Sequence, residues 1–165
     1  MINNKPAGLN LAYRILSRQS LSEKAMKERL RKKGLEPGMV DVILRELKDK
    51  KLLSDRVLAQ NLAESRVKAR LLGNERIESD LVRKGIPPDM AKAAVKEMAQ
   101  SEDAHPEEDR AFKLILRRAK QISAKDVKTI ERKLFGYLAR RGFDPDTIER
   151  ALHRYWKRDG LNCKI

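Results

Sequence analysis

"LVRKGIPP", residues 81–88, has two close relatives in the same chain: "LRKKGLEP" at 30–37 and "LARRGFDP" at 138–145. Each reads Leu, any residue, basic, basic, Gly, apolar, any residue, Pro. The phrase has the form of a helix boundary. A glycine just past the last turn takes up the left-handed conformation without a Cβ clash. The apolar residue after it is set to touch the leucine across the turn, as in a Schellman motif. The proline then suits the first turn of a new helix, where its missing N–H breaks no bond.

The residues around the three glycines coincide once Gly34, Gly85 and Gly142 are put in register. Met26, Ile77 and Leu134 align upstream, as do Leu30, Leu81 and Leu138. Downstream, Leu44, Val95 and Leu152 align, and so do Leu47, Met98 and Tyr155. A repeat of this length is an architecture. Before each boundary the apolar residues recur at helical spacing. In the first copy Ser20 and Glu23 stand three apart and predict a capping box at the helix start. A further helix precedes each capped one: roughly 9–17, 54–71 and 106–121. No stretch alternates with period 2.

The expectation is therefore an all-α protein of three tandem three-helix repeats, at 1–53, 54–101 and 110–165, with an acidic joint at 102–109. A repeat of this size has a thin core and leans on its neighbour. Stacking predicts an elongated, curved array.

The chain has 165 residues and a formal net charge of +14. The charge is uneven. Residues 1–60 hold 14 basic and 7 acidic side chains, 61–109 hold 8 and 11, and 110–165 hold 16 and 6. Basic ends imply a polyanionic neighbour. There is no apolar run long enough to span a membrane and no signal-peptide pattern at the start. A single cysteine, Cys163, permits no internal disulfide. These features together point to the cytoplasm.

The residues offer no catalytic constellation. The glycines are dispersed rather than gathered in a phosphate loop. His105 and His153 lack partners at metal-ligand spacing, and Cys163 lacks an activating neighbour. No enzyme, metal or cofactor is expected. The candidates are cationic helix faces: Lys24, Lys27 and Arg31 in the first repeat, Arg66 and Arg70 in the second, and Arg117, Arg118, Arg140 and Arg141 in the third. A solvated helix surface is the alternative for any one cluster. Pairs of helices joined by short turns also suggest helix-turn-helix DNA binding without a protein partner. However, the second helices carry few of the Asn, Gln or Arg starts that base reading uses, so backbone contact fits better.

Three segments carry a resemblance to a known family: "LRKKGLEPGMVDVILRELKDKKLLSD" (30–55), "DRVLAQNLAESRVKARLLGNERIESDLVRKGI" (55–86) and "KLFGYLARRGFDPDTIERAL" (133–152). The chain resembles the RecX family of regulatory proteins over nearly its whole length. The resemblance implies a curved all-helical modulator of the RecA recombinase. Such a protein lies along a RecA–single-stranded DNA filament and inhibits ATP hydrolysis, strand exchange and coprotease activity. It implies RecA and single-stranded DNA as partners, duplex DNA more weakly, and a monomer. By motif position it adds Arg76 to Arg66 as a contact residue. The family often has aromatic residues where this chain has Leu58 and Leu62, and Gly-Pro where it has Gly73-Asn74. The second departure is expected to loosen a helix entry, since Asn lacks proline's fixed φ.

Overall fold

A computed structural model describes residues 4–100, 106–123 and 126–158. Among these residues there are nine helices and no strand. In chain order they are α1 (Lys5–Leu16), α2 (Glu23–Lys32), α3 (Pro37–Asp49), α4 (Asp55–Arg70), α5 (Asn74–Arg83), α6 (Pro88–Gln100), α7 (Glu107–Ala119), α8 (Val127–Ala139) and α9 (Pro145–Arg158). Three helices, α3, α6 and α9, begin on the proline of the repeated phrase. Half of the acidic joint expected at 102–109, residues 102–105, lies outside the described residues; the other half caps and opens α7.

All three glycines of the phrase have positive φ: +83° at Gly34, +88° at Gly85 and +78° at Gly142. The same bond recurs behind each. Leu35 donates its N–H to the Leu30 carbonyl at 3.3 Å, Ile86 to Leu81 at 3.2 Å and Phe143 to Leu138 at 3.3 Å. All six of these side chains are buried. The phrase thus joins a hydrogen-bonded helix stop to an apolar contact at each copy.

The chain folds as two compact units, Met1–Leu62 with Asp80–Ala94, and Ala63–Ser79 with Val95–Ile165. Residues of α4, α5 and α6 belong to both.

In the first unit the core gathers Ala12, Met26, Leu30, Val40, Ile43 and Leu47, each fully buried. Two details depart from the sequence expectation. α1 begins at Lys5, with a proline in its first turn. Gly8 is also buried in it, because a Cβ there would come 2.6 Å from Ile43 Cδ1. The cap of α2 is Ser22, not Ser20. Its hydroxyl accepts from the Ala25 N–H at 3.2 Å and donates to the Lys84 carbonyl at 2.6 Å. Glu23 is therefore the first helical residue, too early to close a capping box. Its backbone N–H goes to Asp55 Oδ1 at 2.8 Å and its carboxylate to Lys48 Nζ at 3.1 Å. Burial pushes the Asp55 carboxyl up, against the lowering effect of that N–H.

In the second unit α7, α8 and α9 enclose Ala111, Ile115, Leu134, Leu138, Phe143, Ile148 and Ala151, with Leu152 and Phe112 beside them. The segment after α4 packs onto the stop that follows α8. Gly73 donates to the Arg141 carbonyl at 3.0 Å and Glu75 to the Gly142 carbonyl at 3.2 Å. A Cβ at Gly73 would overlap the Gly142 carbonyl and the Phe143 nitrogen. Asn74 tightens this entry instead of loosening it. Its N–H, which proline would lack, donates to Glu107 Oε1 at 2.7 Å, and its Oδ1 accepts from Arg110 Nη2 at 2.6 Å. Arg110 is 1% exposed, a charged group sunk into the unit. Burial holds its guanidinium below its usual range and pushes the Glu107 carboxyl up.

Candidate nucleic-acid interface

The ends of three helices in the second unit bound one open hollow of about 780 Å³. The last turn of α4 supplies Lys68 and Arg70, α7 supplies Lys113, Arg117 and Arg118, and the stop after α8 supplies Arg141. Among the described residues no carboxylate lines it. Four of these six cations fall in the last turn of α4 or α7, where positive side chains complement the helix macrodipole. That local preference explains why each is tolerated. It does not explain why three helix ends converge with no acid among the described lining residues.

Leu71 helps build the hollow. It leaves α4 with φ +50° and packs, half-buried, against the core of the unit. Its N–H still bonds the Val67 carbonyl at 3.1 Å. The left-handed turn is unfavourable for a residue with a side chain, and burial of the leucine offsets it.

Two guanidinium groups are fixed at the mouth. Arg118 Nη1 donates to Gln121 Oε1 at 2.9 Å, and Arg141 Nη1 donates to the Arg70 carbonyl at 2.9 Å. Both lie over the ring of Tyr137, at 5.5 Å for Arg118 and 5.0 Å for Arg141. Those distances are within the range of cation–π attraction. A guanidinium has five N–H donors. One bond and an aromatic contact orient each group, and the bond engages one of its five donors. Planar forks held in this way suit the oxygens of phosphate groups.

Of the residues expected from sequence, Arg70, Arg117, Arg118 and Arg141 line this hollow. Arg140 does not; its Nη1 lies along α8, 3.4 Å from where a Cβ on Gly136 would be. Arg76 is exposed on α5, with its backbone and Cβ against Gly142. Arg66 is half-buried on α4. The first-repeat residues sit in the other unit. There Lys27 is paired with Asp41 at 2.7 Å. The hydrogen bond from Lys27, helped by the charges of Arg31 and Arg45, holds the Asp41 carboxyl below its ordinary range. Lys24 and Lys27 border a small recess that also contains Glu23 and Asp41. This recess is therefore mixed in sign, whereas the described lining of the second-unit hollow holds cations alone; of these Lys68 is paired with Glu64, one turn back on α4, at 3.5 Å.

Sequence reasoning missed Lys68, Lys113 and Tyr137. For Lys113 the signal was present: it precedes Arg117 by four residues, and side chains four apart on a helix share a face. Among the described residues no cluster of His, Cys, Asp and Glu could hold a metal ion. None of the described helices is long and apolar enough to cross a membrane. His105 and Cys163 lie outside the described residues.

The fold and the hollow together define an all-α protein of helical repeats with a cationic hollow on its second unit. A family model described as "RecX, third three-helix domain" matches residues 106–152. The regulatory protein RecX of Clostridioides difficile is 32% identical over 145 residues, covering 88% of this chain and 66% of that protein. The RecX of Chlorobium limicola is 28% identical, covering 93% and 91%, and that of Listeria innocua is 31% identical, covering 87% and 52%. The chain thus spans about two thirds of the length of the first of these relatives and about half of the Listeria protein. Two solved structures share the fold. The crystal structure of RecX from Lactobacillus salivarius has a TM-score of 0.84 at 21% identity, covering 93% of this chain and 97% of that one. A second RecX structure has a TM-score of 0.77 at 20% identity, covering 89% and 72%. The chain belongs to the RecX family of regulatory proteins.

Proposed function

We propose that this protein regulates a RecA recombinase by binding the RecA–single-stranded DNA filament and restraining it. ATP hydrolysis, strand exchange and coprotease activity fall when it binds, which tempers recombination, repair and the SOS response. It does so without chemistry of its own, as a cytoplasmic monomer. Family membership supports the regulatory class. The observation that carries the DNA-bound part is the hollow in the second unit, where six cations converge and no carboxylate stands among the described lining residues. A lattice of phosphates is the neighbour that such a surface fits, because each cation placed beside one releases condensed counterions.

The test uses purified protein, RecA, single-stranded DNA and ATP. Hydrolysis is expected to fall at near-stoichiometric protein, with shorter or fewer filaments by electron microscopy. Hydrolysis and filament length unchanged at that ratio would refute the proposal. The second reading, a DNA-binding protein acting without RecA through helix-turn-helix-like units, rests on the paired helices. It expects tight duplex binding, with log affinity falling against log salt at about −0.9 per phosphate contacted. Duplex binding that is weak alone and becomes strong only when RecA is present would remove it.

A further inference from the structure

A second recess, of about 520 Å³, lies wholly in the first unit, between the end of α1 and the first half of α4. Most of its lining is apolar: Leu16, Leu21, Leu52, Val57, Leu58 and Leu62. Tyr13 stands beside them, its hydroxyl accepting a hydrogen bond from Lys50 Nζ at 2.9 Å. The rest is three serines, Asn61 and a single charged residue, Lys51.

Two of these side chains are apolar where the fold gains little from it. Val57 is 54% exposed and Leu52 51% exposed, more than any other large apolar residue among those described. The left-handed turn at Lys51, φ +56°, divides two neighbouring leucines. Leu53 enters the core, while Leu52 is left at the recess. On α4 Leu58 is buried and Val57 beside it is open. A polar residue at 52 or 57 would change stability little, since exposed positions seldom matter by more than about 0.5 kcal/mol. Scattered exposed apolar residues are ordinary. Two of them on one apolar recess, with hydroxyls and an amide around it, have the make-up of a protein-docking surface.

Charge selects the occupant. Residues 1–60 hold 14 basic and 7 acidic side chains. Of those acids, Asp55 is buried on the Glu23 N–H, Glu23 is paired with Lys48, Asp41 with Lys27, and Glu46 with Lys5 and Lys50. Among the described lining residues there is no carboxylate. A second copy of the chain would bring the same positive excess and be repelled. A nucleic-acid strand would meet one lining cation for its phosphates. A protein segment with apolar side chains on one edge and carboxylates beside them fits both the lining and the charge.

We infer that this recess is a protein-docking site for an amphipathic, acid-flanked segment of the recombinase protomer. Leu52 and Val57 cover the apolar edge of that segment, and Lys51 faces its carboxylates. The inference rests on the regulatory reading in taking RecA as the protein that presents the segment. It draws nothing from the hollow of the second unit.

The probe is RecA without DNA, so that phosphate contacts contribute nothing. The fluorescently labelled full chain is titrated with it at several salt concentrations and followed by anisotropy. Val57→Asp is expected to weaken binding about tenfold or more, because it removes an apolar contact and sets a carboxylate against carboxylates. Lys51→Glu weakens binding about three- to tenfold and flattens its salt dependence. Val57→Ile stays within about twofold of wild type. So does Val42→Asp, at a valine 44% exposed on α3 and outside the recess. V57D and V42D make the same change in charge, so their affinities for oligothymidylate shift alike. Thermal melts check that each variant is folded.

RecA binding by V57D equal to wild type, or lost equally in V42D, would overturn the inference. So would a wild type that inhibits filaments yet does not bind RecA without DNA. In each case continued inhibition of RecA leaves the regulatory reading standing. Self-association that V57D alone abolishes, with RecA binding unchanged, overturns the inference in favour of a second copy. A wild type that neither binds nor inhibits RecA sinks the regulatory reading and, with it, the partner assigned to the recess.

Discussion

Gly73→Ala tests the packing that supports the hollow. Residue 73 enters α5 against the stop that follows α8, and an added methyl would overlap the Gly142 carbonyl and the Phe143 nitrogen. Both obstacles are backbone, so no rotamer change clears the space. The two segments must separate, which stretches the bonds Gly73 N–H to Arg141 at 3.0 Å and Glu75 N–H to Gly142 at 3.2 Å. Overpacking of a tight contact costs about 1–3 kcal/mol. Each weakened hydrogen bond adds about 0.5–1.5 kcal/mol. A loss of about 2–6 kcal/mol follows. Trp156, the one tryptophan of the chain, is 5% exposed in the same unit and reports its unfolding. Urea denaturation followed by its fluorescence measures the loss. Gly136→Ala is the control. It lies within α8 with only Arg140 Nη1 near, at 3.4 Å. There alanine is expected to stabilise by about 0.5–1 kcal/mol through better helix propensity. A G73A midpoint equal to wild type, or displaced upward like that of G136A, would refute the packing argument.

Three other outcomes are expected. Gly85→Val sets a β-branched residue at φ +88°, with its Cβ 2.7 Å from Ser22 Oγ, and displaces the bond from that hydroxyl to the Lys84 carbonyl. A loss of about 2 kcal/mol or more is expected, and a thermal melt like wild type would contradict it. Burial raises the Glu107 carboxyl above its ordinary 4.5. The folded state therefore holds that proton more tightly than the unfolded chain, and its contribution to stability is full below 4.5 and is lost as pH rises through the folded value. Glu107→Gln should flatten that part of the stability profile in urea titrations across the window, and an unchanged slope would remove Glu107 as its source. Charge reversal separates neighbours: Arg141→Glu, in the hollow, should weaken single-strand affinity by about tenfold or more, and Arg140→Glu, outside it, by less than about threefold, measured by fluorescence anisotropy. Equal effects would mean that net charge alone governs binding.

Much of the helix pattern was legible because its signals are local. The glycine, apolar and proline positions around 34, 85 and 142 specify a stop, a contact and a restart within one turn, and the structure has all three. Two other helix ends carried no such signal. After α3 and α4 the chain turns through Lys51 at φ +56° and Leu71 at φ +50°, residues that composition does not mark as left-handed. The Ser20 cap was misread for a related reason. Ser20 and Ser22 are equally good caps by type, and the choice fell to Ser22 because the Lys84 carbonyl, 62 residues away, takes its proton.

The chain's own text settled that it is helical, where its repeats turn, and that its two ends are rich in positive charge. Those properties follow from the spacing of apolar side chains and the backbone freedom of a few residues, each readable over one or two turns. Tertiary structure alone chose which cations meet. Arg70, Arg118 and Arg141 come from three separate segments and are brought together by the backbone contact of Gly73 with Gly142, while Lys27 is neutralised by Asp41 on the next helix. Charge interactions act through space and decay with distance, so the sign of a surface is fixed only when the fold decides which side chains become neighbours.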